Sequence, residues 1–150
     1  MVDVHVLRAT AGGWEALVLR RAAGDRSPGS WEAVHGAVEP GETPVDAAVR
    51  ELREETGLSP DRLYNLSRVE MFYLHRHDAV VLAPVFAALV QSSQTPRLSA
   101  EHDSCAWLPP GEAAARYTLP RLARALEDAI RLLGGHGGGG GLLEDVLRVR

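Results

Sequence analysis

The chain predicts an α/β domain, a mixed sheet flanked by helices, and three observations carry that expectation. The apolar segments alternate with period two over most of the chain, the pattern of half-buried strands. Two longer stretches switch to the 3.6-residue period of amphipathic helices. At 150 residues with 45% hydrophobic content, the chain is long enough to bury the core of one globular domain.

The elements follow in order. Residues 2–10 and 14–20 read as two strands joined at Gly12-Gly13, a hairpin signal. Residues 31–38 carry the chain into a turn marked by Pro40-Gly41. A helix is expected over residues 44–56, because Thr43 is a good N-cap, Pro44 suits the first helical position and Asp46 sits where a capping box places an acid. Gly57 can take the left-handed conformation that ends a helix, and Pro60 stops it from resuming. Val45, Ala48, Val49, Leu52 and Thr56 form its expected apolar stripe.

Residues 66–74 and 79–90 read as a second antiparallel pair turning at 76–78. Residues 105–108 form a short strand, and a second helix is expected over 119–133. Residues 1–133 are thus taken as the domain, and 134–150 as a glycine-rich linker with a short apolar tail. Glycine runs behave as flexible spacers, but Leu142, Leu143, Val146, Leu147 and Val149 are apolar enough to dock on this domain or on a partner.

The chemistry concentrates in GAVEPGETPVDAAVRELREETGL, residues 36–58. Glu51, Glu54 and Glu55 are spaced i, i+3 and i+4, so they crowd one side of the helix within roughly 5–6 Å at Cβ. An ordinary solvated face would pair such acids with basic neighbours, and Arg50 is placed to reach Glu54. The glycine-bounded loop leading into this helix points further. Clustered carboxylates beside such a loop suit hard divalent cations, which take oxygen ligands and are commonly completed by substrate phosphates.

This segment resembles the Nudix box, G-x5-E-x7-R-E-U-x-E-E-x-G-U with U aliphatic. Gly36, Glu42, Arg50, Glu51, Leu52, Glu54, Glu55, Gly57 and Leu58 match it without departure. The resemblance implies the Nudix fold, an α/β/α sandwich around a mixed sheet. It also implies Mg²⁺- or Mn²⁺-dependent hydrolysis of a nucleoside diphosphate linked to another group. By the same resemblance Glu51, Glu54 and Glu55 are metal ligands, Glu54 or Glu55 supplies the base, Arg50 holds a carboxylate in orientation, and Glu42 braces the loop. Glu54→Gln is then expected nearly to abolish hydrolysis while leaving the fold intact.

Residues outside the box tilt the reading towards one branch. Trp31-x-x-Val34-x-Gly36 and Glu101-His102 are similar to the group that hydrolyses dihydroneopterin triphosphate and dATP. In that group the residue matching Glu101 adds a metal ligand or helps the base, and the residue matching His35 offers its backbone carbonyl to the metal. Trp31 either stacks on a base or fills the core. Arg20 and Arg21 end a strand, where alternation sends one inward and one outward; by resemblance an arginine there contacts substrate phosphates, and Arg20 is the candidate. His75, Arg76 and His77 sit at a hairpin tip as weaker substrate candidates.

Composition excludes other classes. The net charge is −4, with no lysine and all 16 basic residues arginine, which argues against nucleic acid as a partner. Neither a membrane span nor a leader is expected. The single cysteine, Cys105, fits a reducing cytoplasm and reads as a strand thiol. The expected partner is a small nucleotide or pterin phosphate, with a homodimer implied by the family resemblance. Relatives acting on ADP-ribose, dinucleoside polyphosphates or oxidised nucleotides share the box, and a nucleotide-sensing module without turnover is the reading from another class.

Overall fold

A computed structural model describes residues 1–133 and 147–150. β1 (Val2–Thr10) and β2 (Gly13–Arg21) form the opening hairpin, followed by β3 (Trp31–Glu32), β4 (Val34–Gly36) and α1 (Pro44–Thr56). The chain continues through β5 (Arg62–Leu74), a 3₁₀ turn at His75–His77, β6 (Ala79–Leu89) and β7 (His102–Leu108). It closes with α2 (Pro110–Arg116) and α3 (Pro120–Leu133). The strands form one sheet in the order β3-β2-β1-β6-β5, with β4 paired to β1 and β7 to β2. Among the described residues only β1 and β6 run parallel, so the sheet is mixed.

Alternation along β1 divides the core into two layers. Val2, Val4 and Val6 face one side with Leu17, Leu19 and Val34, and there they pack on Ala47, Ala48 and Leu52 of α1. Leu7, Ala16 and Val18 face the other side and pack on Ala113 of α2 and Leu122, Ala125, Leu126 and Ala129 of α3. The result is an α/β/α sandwich. Asp3 and His5 lie on this second side of β1 and are fully buried. His5 meets the Tyr117 hydroxyl at 3.3 Å, and burial brings its imidazole down to about 4.

α1 has its expected limits. The Thr43 side chain accepts from the Asp46 amide at 3.2 Å, and Gly57, at φ 69°, donates its N–H to the Arg53 carbonyl at 2.8 Å. Its buried side is turned from the expected stripe: Ala47, Ala48, Leu52, Glu55 and Thr56 are buried, whereas Val45 and Val49 only edge the core. Glu55 therefore belongs to the packed side and not with the exposed acids.

Four elements differ from the sequence expectation. β5 starts at Arg62 because a bulge, with Ser67 at φ 50° and its N–H bonded to the Asn65 side chain, interrupts the alternation that would have revealed residues 62–65. β2 begins one residue earlier than expected and runs to Arg21, and β7 begins at the polar His102 because it pairs with β2 as far as Arg21. α2 was not expected at all: Pro109-Pro110-Gly111 reads as a breaker, yet proline is tolerated in a first helical turn.

The glycine run expected as a linker lies outside the described residues. Leu147 is buried against the α3 layer, and Val149 and Arg150 exchange backbone hydrogen bonds with Leu63 at 2.7–3.3 Å, covering the start of the edge strand β5. Farther along β5, Val69, Met71 and Tyr73, with Val80 and Leu82 of β6, are exposed.

Candidate active site

The C-terminal half of α1 faces the β3–β4 segment, and a single guanidinium organises that end. Arg50 donates Nε and Nη2 to the two oxygens of Glu42, both at 2.9 Å, and Nη2 also reaches the Ala37 carbonyl at 2.7 Å. Its Nη1 bridges Glu51 at 2.9 Å and Glu54 at 3.0 Å. Planar, five-donor geometry makes arginine suited to this role. The clamp locks the loop before the helix to the acids on it.

The three helix acids are not equivalent. Glu54 is 59% exposed at its side chain, Glu51 is 13% exposed, and Glu55 is buried at 2%. Glu51 lies so close to Gly36 that a Cβ there would sit 1.8 Å from the carboxyl carbon. Glycine is thus required by packing at the first position of the segment. Gly36→Ala is expected to displace the Glu51 carboxylate and lower turnover at least tenfold, with global stability little changed; an unaltered rate in the folded variant would contradict this close approach.

Glu55 accepts only a long contact, 3.4 Å, from the His35 amide through Oε1, and its Oε2 has no hydrogen-bond partner. Burial pushes the Glu55 carboxyl up to about 9, against the opposing pull of Arg21. The His102 ring stands next to that oxygen, with Nδ1 3.9 Å from Glu55 Oε2 and likewise unpartnered. The other ring nitrogen lies 3.4 Å from Glu32.

Glu32 leads to Arg21, which is 1% exposed and reaches Glu32 as well as Asp25 and Glu101, the last two at 2.6 Å. For Glu32, burial would raise the carboxyl, but His102 and Arg21 outweigh it and hold it below the ordinary range. Arg21, Glu32 and His102 form a connected set behind Glu55. The alternation at Arg20-Arg21 signalled that one arginine points inward, and the structure shows that it is Arg21. Glu32 lay between Trp31 and Val34, and His102 beside Glu101, without a periodic signal of its own.

The remaining candidates are placed as follows. Glu101 is 57% exposed at its side chain and bonded to Arg21. Arg20 pairs with Asp103 at 2.7 Å on the surface. Trp31 packs against the α2–α3 layer with the Arg116 guanidinium 5.0 Å and that of Arg20 6.0 Å from its ring. The His35 side chain turns away from Glu55 to the buried Asp3 on β1.

A cavity of about 520 Å³ opens beside this centre, with Glu32 and His35 in its wall. Phe72, Tyr73, Leu119 and Pro120 make it apolar, and Arg26, Arg76, Arg121 and Arg124 make it cationic. That volume lies in the range of small-molecule sites. His75 and Arg76 of the hairpin tip line it, and His77 does not.

An α/β/α sandwich with an arginine-clamped cluster of carboxylates at the end of α1 defines the class of fold and site. A family model for the NUDIX domain matches residues 1–131, and the chain belongs to the Nudix hydrolase family.

It is 30% identical over 105 residues to the bis(5'-nucleosyl)-tetraphosphatase [asymmetrical] of Mus musculus, covering 69% of this chain and 71% of that protein. It is 32% identical over 136 residues to an octanoyltransferase of Myxococcus xanthus, but there it spans 86% of this chain and 36% of the relative. Among solved structures, a NUDIX hydrolase from Listeria monocytogenes superposes with TM-score 0.76 at 26% identity, covering 89% of this chain and 92% of that one. The dihydroneopterin triphosphate pyrophosphohydrolase of E. coli gives TM-score 0.67 at 26% identity, covering 84% and 92%.

Proposed function

We propose that the chain is a metal-dependent pyrophosphohydrolase that cleaves a nucleoside or pterin triphosphate to the monophosphate and pyrophosphate. The observation that carries this reading is the buried Glu55 carboxyl, whose Oε2 is left without a partner beside the clamped Glu51 and Glu54. A buried acid held neutral by its surroundings ionises when a cation is supplied. Nudix hydrolases generally use divalent metals. Among the described residues no three acidic, histidine or cysteine side chains are already drawn together as a ligand shell, so the fit rests on donor chemistry: carboxylate oxygens at one helix end suit Mg²⁺ or Mn²⁺.

Glu51, Glu54 and Glu55, with Glu101 and the His35 carbonyl, are the groups that would hold it. When bound, such an ion screens the phosphate oxygens and lowers the pKa of a water. Glu54, Glu55 or Glu101 takes the proton of the attacking water. The new bond joins the water oxygen to phosphorus, the P–O–P bridge breaks, and its electron pair leaves with the departing phosphate group. Arg50 keeps Glu51 and Glu54 oriented throughout, and Arg20 and Trp31, paired across β2 and β3, are the candidates for further substrate contact.

Relatives carry names for other substrates, including dinucleoside tetraphosphates and 8-oxo-dGTP. The test is turnover with Mg²⁺ against dATP, dihydroneopterin triphosphate, 8-oxo-dGTP, ADP-ribose and diadenosine polyphosphates. Pyrophosphate release from a triphosphate is the expected result. Tight binding with no metal-dependent turnover on any of them would replace hydrolysis with nucleotide sensing.

A further inference from the structure

The cavity beside the carboxylates is built on an acid that the hydrolytic chemistry does not use. Asp3 is fully buried on β1, beneath the cavity wall. It accepts from His35 Nδ1 and from Arg121 Nη1, and both of these side chains line the cavity. Burial alone would raise its carboxyl, but His35 and Arg121 overcome that and hold Asp3 below its ordinary range.

Arg121 is fixed a second time. Its guanidinium carbon lies 4.7 Å over the Phe72 ring, which sets the plane of the group. Phe72 itself sits 6.2 Å from the His35 ring, tilted by 48°. One amino group of Arg121 goes to Asp3, and among the described residues its remaining N–H groups are left for whatever enters the cavity.

We propose that this cavity receives the planar ring of the substrate and that Arg121, held by Asp3 and Phe72, selects a ring that presents a carbonyl oxygen beside an acceptor nitrogen. Guanine and pterin rings offer that pair of acceptors, and a planar guanidinium edge can address both at once. Adenine puts an amino donor where the carbonyl would be, and a donor facing donors leaves both unpaired. Arg26, Arg76 and Arg124 add positive charge around the cavity, and among the described residues that line it Glu32 is the one acid. Asp3 is a positioning residue in this account. The substrate class rests on the proposed hydrolysis at the same site, but the binding preference does not need turnover.

The experiment therefore has two arms. Equilibrium binding of GMP and AMP is measured alongside kcat and KM for GTP and ATP, each with Mg²⁺, for the parent chain, Arg121→Lys and Asp3→Asn. The parent is expected to favour the guanine ring by about tenfold or more in both arms. Arg121→Lys keeps a cation against Asp3 but loses the planar edge, so the preference should collapse, with KM rising about tenfold more for GTP than for ATP. Asp3→Asn should act in the same direction, with its fold checked by thermal unfolding; if it fails to fold, Arg121→Lys decides.

Equal affinity for GMP and AMP in the parent overturns the proposal. So does an equal loss for both nucleotides in Arg121→Lys, which would assign the guanidinium to phosphate. Selective GMP binding without hydrolysis of any triphosphate would remove the hydrolase reading and leave this one standing. Hydrolysis with no ring preference would do the reverse.

Discussion

Glu55→Gln is expected to lower hydrolysis by roughly 10²–10⁴-fold, the range of a lost general base or ligand carboxylate, and at the same time to remove a pH dependence of stability. The second effect separates this acid from its neighbours. Without metal, burial lets the folded protein keep the Glu55 proton up to about pH 9, whereas the unfolded chain releases it near the ordinary glutamate value of 4.5. Between those limits the folded state binds more protons, so stability is fullest below the unfolded value and falls as pH rises through the folded one. Glutamine cannot ionise, so the metal-free variant should lose that fall.

Urea midpoints of the two metal-free proteins between pH 5 and 9 check this directly. Identical slopes would mean that Glu55 is not a buried, neutral acid. Glu54→Gln is expected to share the loss of activity, although its side chain is 59% exposed and paired with Arg50. Full activity of folded Glu54→Gln at saturating Mg²⁺ would remove Glu54 from the site.

The contrast between Glu54 and Glu55 also marks what could be read from the chain. Spacing placed Glu51, Glu54 and Glu55 near one another, because 100° per residue is a local property of the helix. It did not rank them by burial. That ranking depends on how α1 rolls against β1 and β4, which lets Ala47 in and turns Glu55 under the His35 amide. The Thr43 and Gly57 caps were legible for the same local reason.

The cavity was not legible. Asp3, Phe72 and Arg121 come from β1, β5 and α3, and no spacing along the chain relates residues that meet only when the sheet closes. Asp3 is one polar residue within an apolar strand, and nothing near it in the chain marks its partners. The β5 bulge at Ser67 is a further case, since the four-residue step from Asn65 to Val69 spans only the two-residue step from Phe86 to Pro84 on β6, and no local spacing announces the two extra residues.

Arg21 shows how far such a tertiary contact reaches. Arg21→Met is expected to destabilise the fold by about 3–5 kcal/mol, since removing one partner of a buried ion network leaves the others uncompensated. Its side chain is 1% exposed and serves Asp25, Glu32 and Glu101 together. Glu32 suffers most, because it is itself 12% exposed and its other neighbour is the imidazole of His102 at 3.4 Å. For a chain of this length the loss corresponds to a fall in Tm on the order of 10 °C. Arg20→Met, one residue earlier, removes a surface pair with Asp103 and a 6.0 Å approach to the Trp31 ring, and is expected to change stability by less than about 1 kcal/mol. Thermal unfolding of both variants at pH 7 compares the adjacent positions under one condition. Equal, small shifts would show that the network behind Glu55 is dispensable to the fold, and would leave Glu32 free to swing towards the cavity it lines.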